Sequence, residues 1–232
     1  MLKLPETHID TIVKVLLDRS YSMNSVLEGT IGGFNTFIDK LKSEQSGVTY
    51  VGLTLFDAPA WGSTAELQHV FLTALGDTIY LDKTNYAPRG NTPLYDALAT
   101  DIYELREAVK NHPTKPNVLY VIITDGEENG SKKFDANTVK GIIKEVETEG
   151  WTFTYLGANQ DSWQIGSLLG MSAANTVNYA TSNMNETFAA VATASNSFRS
   201  ESTHAKSFSA TAAYASDTIY QDAKVDTSAL SK

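Results

Sequence analysis

The stretch Val118-Leu-Tyr-Val-Ile-Ile-Thr-Asp125 is the clearest strand signal in this 232-residue chain. It begins with the longest uninterrupted apolar run of the sequence, residues 118–123, which is rich in β-branched and aromatic side chains. A strand that is apolar at every position is buried on both faces, which is typical of the inner strands of a parallel sheet. Because such a sheet needs helices on both sides, this stretch predicts an α/β fold.

Segments typical of strands and helices alternate on either side of this stretch. Further strands are predicted at residues 11–17, 48–56, 67–75, 152–156 and 176–179, with 67–75 at an edge. Helices are predicted at residues 29–43, 137–149, 163–169 and 185–198, and one more begins at Pro93 with Thr92 as its N-cap. This alternation predicts a Rossmann-like, doubly wound, mainly parallel sheet with helices on both faces. The predicted domain covers residues 8–199, and the Ser/Thr/Ala-rich residues 200–232 are expected to form a tail that is solvated, weakly helical or an extended docking segment.

The composition narrows the classes of function. The chain has no cysteine, which excludes a disulfide scaffold, a thiolate zinc site and a cysteine nucleophile. Its formal net charge of −9 argues against binding of nucleic acid through the phosphate backbone, since such binding needs clustered lysine and arginine. The first residues lack the pattern of a signal peptide, and no apolar run is long enough to span a membrane. We therefore expect a cytoplasmic protein, or a virion protein if it is phage-encoded, with neither a membrane nor a nucleic-acid partner.

Polar segments rich in oxygen ligands lie at the predicted strand ends. Asp18-Arg-Ser-Tyr-Ser22 follows the first strand, Gly90-Asn-Thr92 precedes the central helix, and Asp125-Gly-Glu-Glu-Asn129 follows the strongest strand. In doubly wound sheets, ligands bind beyond the carboxyl ends of the strands. These three segments are therefore expected to meet at one edge of the sheet.

Five residues of these segments form a candidate cation site. Alternate residues of an extended turn point the same way, so Asp18, Ser20 and Ser22 can converge on one point. With Thr92 and Asp125 they offer two carboxylates and three hydroxyls, a set that suits Mg²⁺. Four of these residues also have a structural alternative, because the three hydroxyls can cap the helices that follow and Asp125 can belong to a turn.

The three segments resemble the metal-ion-dependent adhesion site of von Willebrand factor A domains in their order and spacing. The resemblance is carried by Asp18-Arg-Ser-Tyr-Ser22, the Thr92 loop and Ile123-Thr-Asp-Gly126, and it extends over about residues 8–199. Small bacterial and phage members share features like Thr124-Asp-Gly-Glu-Glu-Asn129 and Leu156-Gly-Ala-Asn-Gln-Asp161. The resemblance implies a Rossmann-like fold that holds a divalent ion, usually Mg²⁺, with Mn²⁺ or Ca²⁺ as alternatives.

The resemblance also implies a role for each candidate residue. Ser20 and Ser22 would bind the ion directly, and Asp18 directly or through water. Thr92 would bind in a state-dependent way, and Asp125 mostly through water. The residues expected at the rim or in contact with a partner are Tyr21, Gly90, Asn91, Gly126, Glu127 and Asn159. Tyr21 departs from the family pattern, which more often has glycine there, and this side chain can narrow access or contact the partner.

Together these features predict a non-enzymatic domain that binds a protein partner, whose Asp or Glu would complete the coordination of Mg²⁺. One alternative is a structural component of a larger assembly, which a phage could encode and which would dock through its C-terminal tail. A less favoured alternative is a Mg²⁺-dependent phosphohydrolase, because Ser20 stands where an aspartyl-nucleophile phosphatase needs a second aspartate and no phosphate-binding glycine loop follows a strand. Asp57 and Asp161 are interpreted as loop or capping residues, and Glu128 as a rim charge. The partner and the oligomeric state stay open.

Overall fold

One six-stranded sheet runs through the part of the chain that the structure describes. The structure, a computed structural model, describes residues 2–44, 46–60, 62–158, 162–179 and 183–200. The strands are β1 Thr11–Asp18, β2 Thr49–Asp57, β3 Glu66–Ala74, β4 Asn117–Thr124, β5 Trp151–Ala158 and β6 Thr176–Tyr179. Their order is β3-β2-β1-β4-β5-β6, and every neighbouring pair is parallel except the edge pair β2–β3.

Helices alternate with these strands along the chain. The α-helices are α1 Leu27–Ser43, α2 Leu94–Lys110, α3 Ala136–Thr148, α4 Ser162–Leu168 and α5 Met184–Ser200. Short 3₁₀ helices lie at Tyr21–Val26, Leu75–Asp77 and Ala173–Asn175. Each predicted strand and helix is present close to its predicted position, and the predicted doubly wound α/β class is confirmed.

The sheet is covered on both faces because successive side chains of a strand point to opposite sides. Val13 and Val15 of β1 lie in a core with residues of α1 and α5. Ile12 and Leu16 lie in the opposite core with residues of α2 and α3. The uninterrupted apolar runs of the inner strands follow from this double burial.

One charged side chain interrupts the apolar pattern of β1. Lys14 is buried and forms an ion pair with Asp101 of α2, with 3.0 Å between Nζ and Oδ1. Thr54 Oγ1 donates to Asp101 Oδ1 at 3.0 Å, and Tyr120 Oη donates to Asp101 Oδ2 at 2.5 Å. This network connects the middle of α2 to strands β1, β2 and β4.

Two glycines of α1 bring it close to α5. A Cβ at Gly29 would lie 2.7 Å from the sulfur of Met184, and one at Gly33 would lie 2.6 Å from the ring of Phe188. These glycines lie inside the helix and let it approach α5 closely.

Some predicted features lie outside the described residues. These are residues 201–232 of the predicted tail, together with Asn159 and Asp161. Within the described residues, none of the helices has the length and apolar character needed to cross a membrane.

Candidate metal centre

Three side-chain oxygens lie around Gly126, just beyond the carboxyl end of β4. A Cβ built on Gly126 would lie 3.0 Å from Thr92 Oγ1, 3.3 Å from Ser22 Oγ and 3.8 Å from Asp18 Oδ2. The three oxygens come from the loop before α2, the 3₁₀ helix after β1 and the end of β1 itself. Asp18 and Gly126 are far apart in the sequence, but the sheet brings them together because β1 lies directly beside β4.

Ser20 and Asp125 join the same group through Ser22. The Ser22 hydroxyl donates to Asp125 Oδ1 at 2.7 Å, and its oxygen lies 3.0 Å from Ser20 Oγ. All five residues predicted to bind a cation are therefore adjacent to one another.

Asp18 is the most deeply buried carboxylate of this group. Its Oδ1 accepts a hydrogen bond from the Ser20 N–H at 2.6 Å, and its Oδ2 accepts one from Thr124 Oγ1 at 2.6 Å. Burial raises the pKa of Asp18 to about 7, against the opposing effect of these hydrogen bonds. Burial also raises the pKa of Asp125. Both carboxylates thus lie where a nearby cation would stabilise their ionised form.

The donor set fits a hard divalent cation. Two carboxylates balance two positive charges, and the neutral hydroxyls of Ser20, Ser22 and Thr92 add oxygens without adding charge. Among the described residues, no group of three or more His, Cys, Asp or Glu side chains could hold a metal. The candidate site combines its two carboxylates with hydroxyl oxygens instead.

The prediction that Thr92 is the N-cap of α2 is wrong. The helix begins at Leu94, so Pro93 occupies the N-cap position. No side-chain hydrogen bond from the N-cap residue caps the helix. The first amides of α2 instead donate to the loop after β4: Tyr95 N–H to Glu128 Oε2 and Asp96 N–H to Ser131 Oγ, both at 3.0 Å. Because another segment caps the helix, the Thr92 hydroxyl lies against Gly126 instead.

The capping alternative also fails for Ser20. This residue precedes the 3₁₀ helix at Tyr21–Val26, yet its side chain makes no capping hydrogen bond. The Ser22 hydroxyl is bonded to Asp125. Their side chains therefore face the carboxylates of the candidate site.

The comparisons with known proteins give a match in structure alone. No protein-family model matches the chain, and no curated protein matches its sequence. A von Willebrand factor type A protein from Catenulispora acidiphila superposes with a TM-score of 0.56 at 12% identity, covering 82% of this chain and 44% of that one. The chain has the von Willebrand factor A fold.

Two further matches were solved with a metal. Manganese-loaded TRAP protein from Plasmodium vivax has a TM-score of 0.54 at 15% identity, over 76% of this chain and 71% of that one. The proximal thread matrix protein 1 of the mussel byssus, with a zinc-occupied MIDAS motif, has a TM-score of 0.50 at 13% identity, over 79% and 46%. The chain spans less than half the length of the Catenulispora and mussel chains.

In this von Willebrand factor A fold, the residues predicted at the rim have distinct environments. The side chain of Tyr21 is 72% exposed, while its N–H is held by Gly90 O at 3.0 Å. Asn91 pairs with Ala58 as an isolated bridge, and Glu127 is exposed. Asn159 lies outside the described residues.

Two residues beside the site, Asp57 and Glu128, have roles that the sequence interpretation missed. Asp57 is a fully buried ion-pair partner of Arg19 and Arg89, so its interpretation as a loop or capping residue is wrong. Glu128, predicted as a rim charge, accepts hydrogen bonds from the loop amides of Gly130 and Ser131. The available signal was the position of Arg19 between two predicted ligands, since a charged side chain there must find a partner.

Proposed function

We propose that this chain is a divalent-cation-dependent protein-binding domain that catalyses no reaction. The observation that supports this most strongly is the convergence of Asp18, Ser22 and Thr92 oxygens around Gly126, linked to Ser20 and Asp125. The metal-bound structures of Plasmodium TRAP and the mussel matrix protein share this fold and support a divalent ion in this domain.

We infer that Mg²⁺ is the ion, with Mn²⁺ or Ca²⁺ able to replace it. The proposed ligands are Asp18, Ser20, Ser22, Thr92 and Asp125. All five supply oxygen, which Mg²⁺ prefers, and none supplies the nitrogen or sulfur that softer metals favour. The bound ion would supply positive charge to the two carboxylates and a coordination position for an incoming carboxylate.

The burial pattern supports a partner on one side of the site. Asp18, Ser20 and Thr92 are buried, whereas Ser22 is exposed and Asp125 is half-buried. An incoming group would therefore approach over Ser22 and Asp125. A partner's Asp or Glu would complete the coordination. The residues proposed to contact the partner are Tyr21, Gly90, Asn91, Gly126, Glu127 and Asn159.

The alternative of a phosphohydrolase is less well supported by the geometry. A nucleophilic Asp18 would need an accessible carboxylate, yet this residue is fully buried and both of its oxygens accept hydrogen bonds. The position two residues later is Ser20, which cannot serve as a carboxylic acid in that chemistry. Mg²⁺-dependent turnover of a generic phosphoester by the wild type, lost in Asp18→Asn, would contradict our proposal.

A peptide selection tests the proposed function. A random peptide library is panned on the immobilised chain in MgCl₂ and eluted with EDTA, with Asp18→Asn as the matched control surface. We expect enriched peptides that carry an Asp or Glu and that bind neither in EDTA nor to the variant. Equal enrichment on both surfaces, or binding that persists in EDTA, would overturn the proposal.

A further inference from the structure

We infer that Asp57 is a positioning residue for the candidate metal centre, which it serves by fixing two arginines. Arg19 lies between Asp18 and Ser20, and Arg89 immediately precedes the Gly90-Asn-Thr92 segment. Asp57 would thereby hold two of the three segments that supply ligands. The inference rests on the proposed function, because it concerns the same metal site.

Each oxygen of the Asp57 carboxylate binds a different arginine. Arg19 Nη2 donates to Oδ1 at 2.9 Å, and Arg89 Nε donates to Oδ2 at 2.5 Å. Arg19 also bonds Gln68 through Nη1, and Arg89 Nη2 donates to Glu66 Oε2 at 2.7 Å. Both guanidinium groups thus bind the Asp57 carboxylate at the end of β2. Each also binds one side chain of the edge strand β3.

Backbone hydrogen bonds join the same segments. The N–H of Arg89 donates to Arg19 O at 2.7 Å, and the N–H of Arg19 donates to Phe56 O at 2.8 Å. The N–H groups of Ala58 and Asn91 donate to each other's carbonyls at 3.0 and 2.9 Å. The end of β2 is therefore the common support of the segment after β1 and the loop before α2.

Gly90 shows how tight this junction is. Its φ is +67°, in the left-handed region that favours glycine, and a Cβ there would lie 2.1 Å from Ala58 O. The loop that carries Thr92 therefore crosses the end of β2 in direct backbone contact. A shift of Arg89 or Asp57 would be transmitted to this loop because no side chain lies between the two backbones to absorb it.

The Asp57 carboxylate is the shared ion-pair partner of both arginines. Asp57 is fully buried and Arg19 is 8% exposed, so the pair is largely shielded from water. Removing one partner of a buried ion pair leaves an uncompensated charge. Loss of Asp57 should thus weaken metal binding by loosening the segments that carry the ligands.

The test compares Asp57→Asn with Asp101→Asn, which also replaces a buried carboxylate of an ion pair but lies in the Lys14 network at the middle of α2. Mg²⁺ affinity is measured by titration calorimetry on folded protein, and the melting temperature is measured in EDTA. We expect both variants to melt earlier, but only Asp57→Asn to lose Mg²⁺ affinity, by roughly 10- to 100-fold, as for other residues that orient metal ligands. Unchanged affinity in Asp57→Asn, or an equal loss in both variants, would overturn the inference.

Two substitutions of Arg89 test the inference even if Asp57→Asn does not fold. The side chain of Arg89 is 48% exposed, so it tolerates replacement better than Arg19. We expect Arg89→Gln to lose Mg²⁺ affinity and Arg89→Lys, which keeps the charge, to retain more of it. Equal affinities in these two variants would contradict the inference.

A readout without metal separates this inference from the proposed function. In EDTA, we expect hydrogen exchange at the Tyr21 and Asn91 amides to be faster in Asp57→Asn than in Asp101→Asn. If the wild type shows no Mg²⁺ binding, the proposed function fails. If the wild type binds Mg²⁺ but these amides and the affinity of Asp57→Asn are unchanged, the inference about Asp57 alone fails.

Discussion

Thr92 and Asn129 are joined by two hydrogen bonds in opposite directions, one to the Asn129 side chain and one from its backbone. The Thr92 N–H donates to Asn129 Oδ1 at 2.8 Å, and the Asn129 N–H donates to Thr92 O at 3.1 Å. Asn129 lies four residues after Asp125 in the same loop. The two loops that carry Thr92 and Asp125 are therefore held together before any cation binds.

The variant Asn129→Ala tests this connection. It removes the acceptor of the Thr92 N–H, so the Thr92 hydroxyl should occupy its position by Gly126 less often. We expect Mg²⁺ affinity to fall about tenfold, with faster hydrogen exchange at the Thr92 amide. The control is Asn111→Ala, which removes a side chain that bonds Glu107 O at the far end of α2. An Asn129→Ala protein that binds Mg²⁺ like Asn111→Ala would show that the two loops are held independently.

Gly126→Ala places a methyl group among the candidate ligands. The added Cβ would lie 3.0 Å from Thr92 Oγ1 and 3.3 Å from Ser22 Oγ, so these oxygens would have to move apart. We expect Mg²⁺ binding to be lost while the protein still folds. The control is Gly141→Ala in α3, where the added Cβ meets no atom within 4 Å and the helix should gain about 0.5–1 kcal/mol. Mg²⁺ binding by both variants is measured by calorimetric titration with MgCl₂. Normal binding by Gly126→Ala would show that the metal site lies elsewhere.

Asp18→Asn should have opposite effects with and without metal. The folded-state pKa of Asp18 is about 7, above its ordinary value of 3.8, so the folded protein binds the proton more tightly than the unfolded chain does. The stability of the metal-free protein therefore falls as the pH rises from about 4 to about 7, and the full penalty applies above that range. Asparagine carries no such charge, and the Thr124 hydroxyl can accept as well as donate a hydrogen bond.

We thus expect Asp18→Asn to be more stable than the wild type by roughly 1–4 kcal/mol in EDTA at about pH 8, and the difference to vanish near pH 4. Excess MgCl₂ should stabilise only the wild type, because a ligand that binds the folded state alone raises its stability. Urea unfolding at both pH values measures these differences. A variant that is less stable than the wild type in EDTA at pH 8 would contradict the burial argument.

The pH dependence of metal binding follows from the same raised pKa. Mg²⁺ must displace the proton that Asp18 holds below about pH 7, so its affinity should fall by about tenfold for each pH unit below that value. Above pH 7 the affinity should level off. Titrations in buffers of different ionisation enthalpy would report the released proton directly. An affinity that does not change between pH 5 and pH 8 would show that Asp18 is already ionised in the metal-free protein.

The sequence predicted the fold and the proximity of Asp18, Ser20, Ser22 and Asp125 because both depend on local patterns. The apolar run before Asp125 marks an inner strand, and the spacing of Asp18, Ser20 and Ser22 lets alternate residues of one turn face the same way. The ends of parallel neighbouring strands then bring these residues together without further information.

The errors concern partners that come from distant parts of the chain. The caps of α2 are supplied by Glu128 and Ser131, more than 30 residues after the helix begins, so Thr92 looked like a cap in the local sequence. The ion pairs of Asp57 with Arg19 and Arg89 depend on β2 lying beside β1. They also depend on the conformations of the two long arginine side chains. Neither can be derived from composition or periodicity.

The most direct test of the central claim is the anomalous scattering of crystals grown in MnCl₂, recorded at the manganese edge. We expect a peak enclosed by the oxygens of Asp18, Ser20, Ser22, Thr92 and Asp125, next to the Cα of Gly126, and no peak there in Asp18→Asn crystals. A wild-type structure with no peak at this position, or with its manganese bound by a different set of residues, would contradict the claim.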